Sequence, residues 1–512
     1  MMSVDILRET FHINRIKPSE LDDFLTAQTY RPEITEAIEK ICSKNVQTLQ
    51  QICSERISQG PTPTYGKEGN ACLKSKHTNE LITSEPEGDL VAPEWAEGKE
   101  KYRVKKDDVV IARKGTGTIG RVSIYTEEVP RNTDDLIFKA RITGADPYYV
   151  APYFRTHYGE RLLEKGIYGS TGQISLSVVH VRNVPVYIPN RSVQKYIGDK
   201  VRQAEQLRAW AKWLRTSVDD HLNSLNLPIN EPPALLNRVS AQTMEDRLDP
   251  RPYRTHYLCL VHEIEKLPHD SISALVELAS GCPVSSNDFL ENSGIPLVRI
   301  RNIGFDDFIG LDTGVSQDVY QDATKYQAKD KMIVVGMDGI FRSQFFISDE
   351  LPMLVNQRVA MLSPQNIRGE LLTHWLNRPE GQMQLNQWAV KTTVEHTSLS
   401  DIGRVLIPRL DKSLENKLAD YLLNARLAYR YAKFLTQAAK TLVEALIEGQ
   451  LTEQQLIQAQ QTLEDGDNSL DQAILSKLSA EGYAIEGTTP LFSDVDELYS
   501  LLEGAAQAEA EE

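Results

Sequence analysis

The sequence predicts an α+β protein in which two duplicated modules of mixed α and β structure are separated by two long helices that form an antiparallel coiled coil, followed by an acidic C-terminal extension. Three observations carry this prediction. Segments of the chain recur at an offset near 223 residues, two long stretches place apolar residues at helical spacing, and acidic residues concentrate after position 450.

Composition sets the class of protein. Of the 512 residues, 41% are apolar and 25% charged, which predicts several folded domains rather than a disordered or fibrous chain. The five cysteines form no CxxC pair, so neither a disulfide framework nor a structural zinc site is expected. The N-terminus has no apolar signal region, and no run of about 18 apolar residues occurs. We therefore expect a cytoplasmic protein that does not act at a membrane.

The net charge of −16 does not by itself exclude DNA as a partner, because the charge is unevenly distributed. Residues 450–512 contain 14 acidic residues and one basic residue, a net charge of −13, which leaves −3 for the rest of the chain. Residues 99–121 carry eight basic and three acidic residues, the local excess that phosphate contact needs.

The internal repeat predicts two modules with one fold. Tyr102 and Gly115 recur 224 residues later as Tyr326 and Gly339. The paired segments keep the same order in both halves: INRI (13–16) with LNRV (236–239), YRPEITEAIEK (30–40) with YRTHYLCLVHEIEK (253–266), CLKSK (72–76) with LVRIR (297–301), YRVKKDDVVIARKG (102–115) with YQAKDKMIVVGMDG (326–339), and VPVYIP (184–189) with RVLIP (404–408).

These landmarks divide the chain into six parts. They are an N-terminal helical segment (1–45), a first module (46–190), a central long helix and linker (191–271), a second module (272–409), a second long helix (410–449) and the acidic extension (450–512).

Each module is expected to mix strands and helices around its own core. Short apolar runs bounded by charged residues and glycine predict strands at 109–113, 121–125, 332–336 and 344–348. Helical patterns follow in both modules, at 147–164 and 370–388.

After each module, apolar residues recur in steps of three and four, typical of one helix face. The first run (193–225) ends before Pro228, and the second (414–446) spans about five heptads and ends at Gly449. A narrow apolar stripe on a helix of about 35 residues, roughly 50 Å long, is buried only if another element packs along it. We expect the two helices to pair antiparallel; the alternative is that each lies on its own module.

Two enzyme motifs are present without their usual context. GTGTIG at 115–120 follows a strand but precedes another strand instead of the helix that a dinucleotide site needs, so we interpret it as a tight turn. Asp89, Glu97 and Lys99 have the spacing of a metal-dependent nuclease site, but the second half has no counterpart. The sequence also has no ATP-binding loop, no [DN]PP[YF] segment and no HExxH or HxH pairing. We do not expect an active site in this chain.

Polar and basic residues beside the repeated strands are the candidates for DNA contact, because Arg reads guanine, Asn and Gln read adenine, and Lys holds phosphate. For each of them, an ordinary solvated surface position is the competing interpretation. The candidates are Lys74, Lys76, Arg113, Lys114, Arg121, Tyr168, Thr171 and Gln173 in the first module and Arg299, Arg301, Asn302, Arg342, Gln344, Gln357, Arg358, Lys391, Thr392, Thr393 and His396 in the second.

Together these features resemble the specificity (S) subunit of type I restriction–modification enzymes. The resemblance covers roughly residues 10–449 and rests on the paired NRI/NRV and YR segments, the GPTP and GCP openings of the modules, the LVRIRNI and VNQRVAML stretches, and the transition from IP to a long helix. It implies that the modules are target recognition domains, each reading one half of a split DNA sequence. It also implies that the coiled coil sets the distance between the halves.

The resemblance further implies partners. Methyltransferase subunits, expected at two per chain, would dock on the coiled coil and supply S-adenosylmethionine chemistry at adenine N6, and a motor and nuclease subunit would translocate and cleave DNA. This chain would hold no cofactor and no metal and would act as a non-catalytic reader of double-stranded DNA in a restriction–modification or related phage-defence complex.

The chain departs from the family layout in two places. The first module has CLKSKHTN where the second has LVRIRNI, and the acidic extension has no counterpart in the repeat. The extension carries too many apolar residues for a purely disordered tail, so we expect short helices that dock on a protein or shield a basic surface. A solubilising tail is the alternative.

Two other functions stay open at this point. The chain could be a DNA-acting enzyme, a nuclease or methyltransferase with its own active site, or a structural adaptor that binds only proteins through its coiled coil.

Overall fold

The computed structural model describes residues 15–18, 21, 25–115, 117–169, 174–230, 232, 234, 236–245, 247–391 and 394–511. The chain forms two units, one made of residues 1–207 and 431–512 and the other of residues 208–430. Among the described residues, no helix combines the length and apolar character that crossing a bilayer requires.

The first module lies in unit 1 and is followed by the first long helix. Its elements are α1 (Pro32–Cys42), β1 (Val46–Thr48), β2 (Ser58–Gln59), β3 (Tyr65–Ala71), β4 (Leu90–Val91), α2 (Pro93–Ala96), β5 (Arg103–Val104), β6 (Val109–Ala112), β7 (Val122–Ile124), β8 (Arg131–Asn132), β9 (Ile137–Ala140), α3 (Pro147–Arg155), α4 (His157–Glu164), β10 (Ile167–Tyr168), β11 (Ser175–Leu176), α5 (Val178–Asn183), β12 (Pro185–Tyr187) and the long helix α6 (Arg191–Asn223).

The second module lies in unit 2 and is followed by the second long helix. Its elements are α7 (Thr255–Glu265), β13 (His269–Ser271), α8 (Ile272–Leu275), β14 (Val276–Ser280), β15 (Leu290–Glu291), β16 (Ile295–Val298), β17 (Thr313–Val315), α9 (Gln317–Asp322), β18 (Ile333–Gly336), β19 (Ser343–Phe345), β20 (Leu354–Val355), β21 (Val359–Pro364), α10 (Gly369–Asn377), α11 (Pro379–Trp388), β22 (Val390–Lys391), β23 (Glu395–His396), α12 (Leu399–Arg404), β24 (Leu406–Pro408) and the long helix α13 (Lys412–Glu448).

The two modules share one sheet topology. A four-stranded antiparallel sheet in the order β2-β9-β6-β7 forms the centre of the first module, and the sheet of the second module has the matching order β14-β21-β18-β19. In both, an antiparallel pair of short strands joins the start and end of the module, β1 with β12 and β13 with β24. The predicted duplication is confirmed by this shared strand order.

The predicted helices at 147–164 and 370–388 are each two helices. The break lies at Thr156 in the first module and at Arg378 in the second, where the backbone is extended. Thr156 Oγ1 accepts a hydrogen bond from Gly159 N at 3.0 Å and so begins α4, while Pro379 begins α11. The helical spacing of apolar residues continues across both breaks, so the sequence pattern alone did not reveal them.

A glycine follows each break because the two helices approach closely there. A Cβ atom at Gly159 would lie 2.3 Å from the carbonyl oxygen of Tyr153, and one at Gly381 would lie 2.2 Å from that of Trp375. Both distances are far inside van der Waals contact, so only glycine fits without a shift of the backbone.

The long helices carry the buried stripes that the sequence predicts. Every predicted apolar position of α6 from Val193 to Leu222 is at most 4% exposed. The C-terminal half of α6 and the N-terminal half of α13 lie together in unit 2, and the other two halves lie in unit 1, so the helices run antiparallel. Gly449, with φ of +82°, ends α13 in the left-handed conformation that favours glycine.

The acidic extension folds onto unit 1 as three helices, α14 (Glu453–Glu464), α15 (Ser469–Leu475) and α16 (Val495–Glu511). Leu456, Leu475 and Leu498 are at most 1% exposed. The prediction of short docking helices therefore holds, and the protein on which they dock is this chain itself.

Candidate DNA interface

Three loops of the first module meet at the C-terminal end of β6. A short 3-10 turn (Ser75–Thr78) reaches the β6–β7 turn, since a Cβ atom at Gly115 would lie 3.3 Å from Ser75 Oγ. The β10–β11 hairpin joins them through the hydrogen bond that Leu176 N donates to Arg113 O at 3.0 Å. Antiparallel pairing of β6 with β7 confirms that a strand, not a helix, follows GTGTIG.

The second module repeats this arrangement at the end of β18. Its 3-10 turn (Ile300–Asn302) lies beside Gly336, whose Cβ would be 3.2 Å from Ile300 Cγ2. The β22–β23 hairpin is attached by backbone hydrogen bonds of 2.9 Å from Thr397 N to Met337 O and from Gly339 N to Glu395 O. Each module thus builds one site from the same three loops, on which the predicted contact residues Lys76, Arg301 and His396 lie.

The 3-10 turns show how CLKSKHTN replaces LVRIRNI. Lys74 N donates to His77 Nδ1 at 2.9 Å, and Arg299 N donates to Asn302 Oδ1 at the same distance. Burial, together with the charges of Lys76 and Lys74, lowers the pKa of His77 to about 4. His77 is therefore neutral at pH 7 and accepts this hydrogen bond as the amide of Asn302 does.

Two lysines of the first turn flank an acidic residue. The side chain of Lys74 lies 3.1 Å from the Asp89 carboxylate and 4.4 Å above the Tyr65 ring, whereas Lys76 is 58% exposed and 3.5 Å from the same carboxylate. The hydrogen bond from Lys74 lowers the pKa of Asp89, which therefore stays ionised at neutral pH. Asp89 thus forms ion pairs with the two lysines. Among the described residues, no group of three His, Cys, Asp or Glu side chains could hold a metal ion.

The second module presents more exposed arginine. Arg301 is 56% exposed and forms an ion pair with Asp312, while Arg299 donates to Thr313 Oγ1 at 2.7 Å. Around the hairpin, Asp338 lies 3.9 Å from the 64% exposed Arg358 and 2.5 Å from His396 Nδ1. The neighbouring Gln357 is exposed.

Five further candidates lie on or next to these loops with part of their surface accessible. Arg113 Nη1 donates to Asp135 O at 3.0 Å, and Arg121 donates to Asn79 Oδ1. The guanidinium of Arg342 lies 4.8 Å above the Phe305 ring, and Tyr168 is 43% exposed on β10. Lys114 is half-buried in the β6–β7 turn.

Two predicted contact residues are corrected by the structure. Asn302 is 1% exposed, and its amide donates to Ile309 O and Gly310 O while its oxygen accepts from Arg299 N. Gln344 is 1% exposed and donates to Gly304 O and Phe305 O at 3.4 and 3.3 Å. Both side chains hold the loops together inside the module, so we remove them from the proposed contacts.

The remaining candidates lie outside what can be described. Thr171, Gln173, Thr392 and Thr393 fall outside the described residues, and Lys391 is described only as part of strand β22.

Exposed apolar residues also lie on these loops. They were not among the predicted DNA contacts, because only polar and basic side chains were candidates. Ile340 in the β18–β19 turn is 61% exposed, and Val390 and Val394 on the hairpin are 49% and 43% exposed. In the first module, Ile174 is 44% exposed. Branched apolar residues at the tips of loops are the detectable signal, and such groups contact thymine methyl groups or wedge between bases.

Comparisons with known proteins give structural similarity only. No family model matches the sequence, and no curated protein matches it. The structure is similar to the type I restriction–modification S subunit from M. genitalium, at 12% identity over 80% of this chain and 96% of that chain, with a TM-score of 0.43. The HsdS subunit from Thermoanaerobacter tengcongensis matches at 15% identity over 82% and 95% of the two chains, with a TM-score of 0.25.

A third similar chain comes from a structure that describes complex assembly and conformational transition of the type I R-M system. It is 13% identical over 80% of this chain and 98% of that chain, with a TM-score of 0.27.

Proposed function

We propose that this chain is a non-catalytic DNA sequence reader of a type I-like restriction–modification or related phage-defence complex. The observation that carries the proposal is that both modules contain the same site. Each module brings a 3-10 turn, a strand-to-strand turn and a hairpin together at the C-terminal end of one central strand, β6 or β18. Two equivalent sites with different side chains suit a target of two unequal half-sites.

The side chains at equivalent positions favour different readout. Lys76 in the first module stands where the second has Arg301, and both are more than half exposed. Lysine contacts phosphate as a point charge, whereas arginine reads the O6 and N7 atoms of guanine with two hydrogen bonds. Each cation is paired with an aspartate, Asp89 or Asp312, and DNA would replace that partner, through phosphate at Lys76 and through guanine at Arg301.

The antiparallel pair of α6 and α13 is the proposed scaffold for adenine-N6 methyltransferase subunits. S-adenosylmethionine would bind to the methyltransferase, and a motor and nuclease subunit would join for cleavage. We place the assembly in the cytoplasm, where its double-stranded DNA lies.

Methylation assays test the proposal. This chain, the methyltransferase encoded with it, and the two together are each incubated with genomic DNA and S-adenosylmethionine, and methylated adenines are mapped by sequencing. We expect methylation of one bipartite motif only by the combination. Methylation or cleavage of DNA by this chain alone would show that the chain is an enzyme. Methylation by the methyltransferase that does not depend on this chain would show that the chain is an adaptor that binds only proteins.

A further inference from the structure

The long helices repeat in sequence at an offset of 221 residues. Ile197 corresponds to Leu418, and Leu214 corresponds to Leu435, so the offset superimposes the apolar stripes. Because the helices are antiparallel, a face formed in unit 1 has an equivalent in unit 2. Tyr196, Lys200, Tyr431 and Phe434 form the unit 1 face, and Lys417, Tyr421, Trp210 and Trp213 stand at the corresponding positions and form the unit 2 face.

The acidic extension covers the unit 1 face. Asp471, itself 1% exposed, lies 2.7 Å from Lys200 Nζ and accepts a hydrogen bond from the Tyr196 hydroxyl at 2.6 Å. The ring of Phe492 lies 6.2 Å from that of Tyr431 and 5.9 Å from that of Phe434. The extension therefore binds the face with a carboxylate on the lysine, an aromatic ring on the aromatic pair, and a second carboxylate, that of Glu497, which accepts a hydrogen bond from the Tyr431 hydroxyl at 2.6 Å.

The unit 2 face also combines one lysine with aromatic rings, although the lysine and a tyrosine exchange positions, and its residues are more exposed than those of the unit 1 face. The rings of Trp213 and Tyr421 lie 6.0 Å apart, and Lys417 Nζ lies 5.4 Å from the Tyr421 ring. Trp213 is 36% exposed and Lys417 is exposed, whereas their counterparts Phe434 and Tyr196 are half-buried and buried. Tryptophan and tyrosine are enriched in protein–protein interfaces, so the partly exposed pair of Trp213 and Tyr421 favours this face as a surface that binds another protein.

We infer that the extension is a resident occupant of one of two equivalent docking faces, so that the chain takes one methyltransferase subunit, on the unit 2 face, instead of two. The inference rests on the proposed function. The docked element would be an acidic helical segment with an aromatic residue, placing a carboxylate on Lys417 and a ring against Trp213 and Tyr421, as Asp471 and Phe492 do in unit 1.

Native mass spectrometry of the full chain with the methyltransferase encoded with it measures the number of subunits bound. We expect one subunit on the natural chain and at least a tenfold loss of affinity in Lys417→Glu. The matched control is Lys329→Glu, the same change at another exposed lysine of unit 2, which should still bind one subunit.

Asp471→Lys in the full chain tests whether the extension occupies the unit 1 face. It places a second cation beside Lys200, so the extension should detach, and a second subunit should then bind. Hydrogen exchange in α15 and in α13 around Tyr431 reports detachment.

Two subunits bound to the natural chain while α15 stays protected would overturn the inference and leave the proposed function intact. Unchanged binding by Lys417→Glu, or a single subunit on a detached Asp471→Lys chain, would also overturn it. If no subunit binds to the natural chain or to any variant, both the inference and the proposed scaffold are wrong. DNA reading by the modules is tested separately, by crosslinking of Lys76 and Arg301 to DNA.

Discussion

At the scale of single residues, the buried ion pair between Lys200 and Asp471 is the most consequential contact of the extension, because both side chains are 1% exposed. Burial alone would raise the pKa of Asp471, but the charge of Lys200 and the hydroxyls of Tyr196 and Tyr499 outweigh it and hold that pKa below its usual value. The ionised carboxylate is therefore the stable form in the folded chain.

Asp471→Asn should destabilise the docked extension by about 3 kcal/mol or more, because it leaves Lys200 buried without its counter-charge. A carboxyl with a depressed pKa contributes its stabilisation above its unfolded pKa near 4 and loses it as the pH falls through the folded pKa. The difference between the variant and the natural chain should therefore shrink below about pH 4. Hydrogen exchange in α14–α16 measures it, and exposed Asp465→Asn, the control, should change nothing.

The exposed cations of the two modules should act on different halves of the target. Arg301→Gln should cost about 1–3 kcal/mol at one base pair of the half-site read by the second module and relax its specificity. Lys76→Gln should weaken binding uniformly and reduce the salt dependence of binding by about one phosphate contact. Competition binding with single-base variants of the target, at several salt concentrations, distinguishes these results. A loss of specificity in the first half-site from Arg301→Gln would contradict independent modules.

At the scale of elements, the coiled coil depends on an unbroken apolar seam. Leu435 is fully buried, so Leu435→Asp should place a charge without a partner in that seam and destabilise unit 1 by about 4 kcal/mol or more. Thermal unfolding measures the loss, and Asn416→Asp, which adds the same charge at an exposed position of the same helix, is the control. A melting temperature that Leu435→Asp leaves unchanged would show that the seam is not a core.

The long helices are also expected to set the spacer between half-sites. Inserting one heptad into both α6 and α13 keeps the apolar face in register and adds about 10 Å to each helix, equivalent to about three base pairs. The methylated motif should keep its half-sites and gain a longer spacer, as read by sequencing of genomic DNA. An unchanged spacer length would show that the long helices do not set the distance between the half-sites.

The elements also show how much the sequence could predict. The strands at Val109–Ala112 and Ile333–Gly336 follow from short apolar runs, because every residue in them is buried. Both long helices follow from apolar spacing, because burial on one helix face leaves a periodic signal. The break at Thr156 depends on a side-chain cap, and the break at Arg378 comes directly before Pro379, so neither interrupts the apolar spacing that predicts the helices. Asn302 is buried because its amide donates to Ile309 O and Gly310 O. Side-chain type marked Asn302 as a base reader, but its hydrogen bonds to the loop backbone, which decide its role, leave no local pattern.

At the scale of the whole molecule, the charge distribution predicts dependence on partners. Residues 1–449 carry a net charge of about −3 and the extension −13, so little general attraction to DNA is available. The isolated chain should bind DNA weakly, and specific affinity should appear with the methyltransferase. Fluorescence anisotropy with and without that subunit measures this difference. Nanomolar, sequence-specific binding by the chain alone at physiological salt would contradict the prediction.

Replacement of one module tests the central claim most directly. Residues 46–189 are exchanged for the corresponding module of another such chain, and the methylated motif is determined by sequencing genomic DNA from cells that carry the hybrid and its methyltransferase. Because each module has its own sheet and its own three-loop site, we predict that one half of the motif changes while the other half stays the same. A change in both halves, or a motif that stays the same after replacement, would contradict independent reading by two modules.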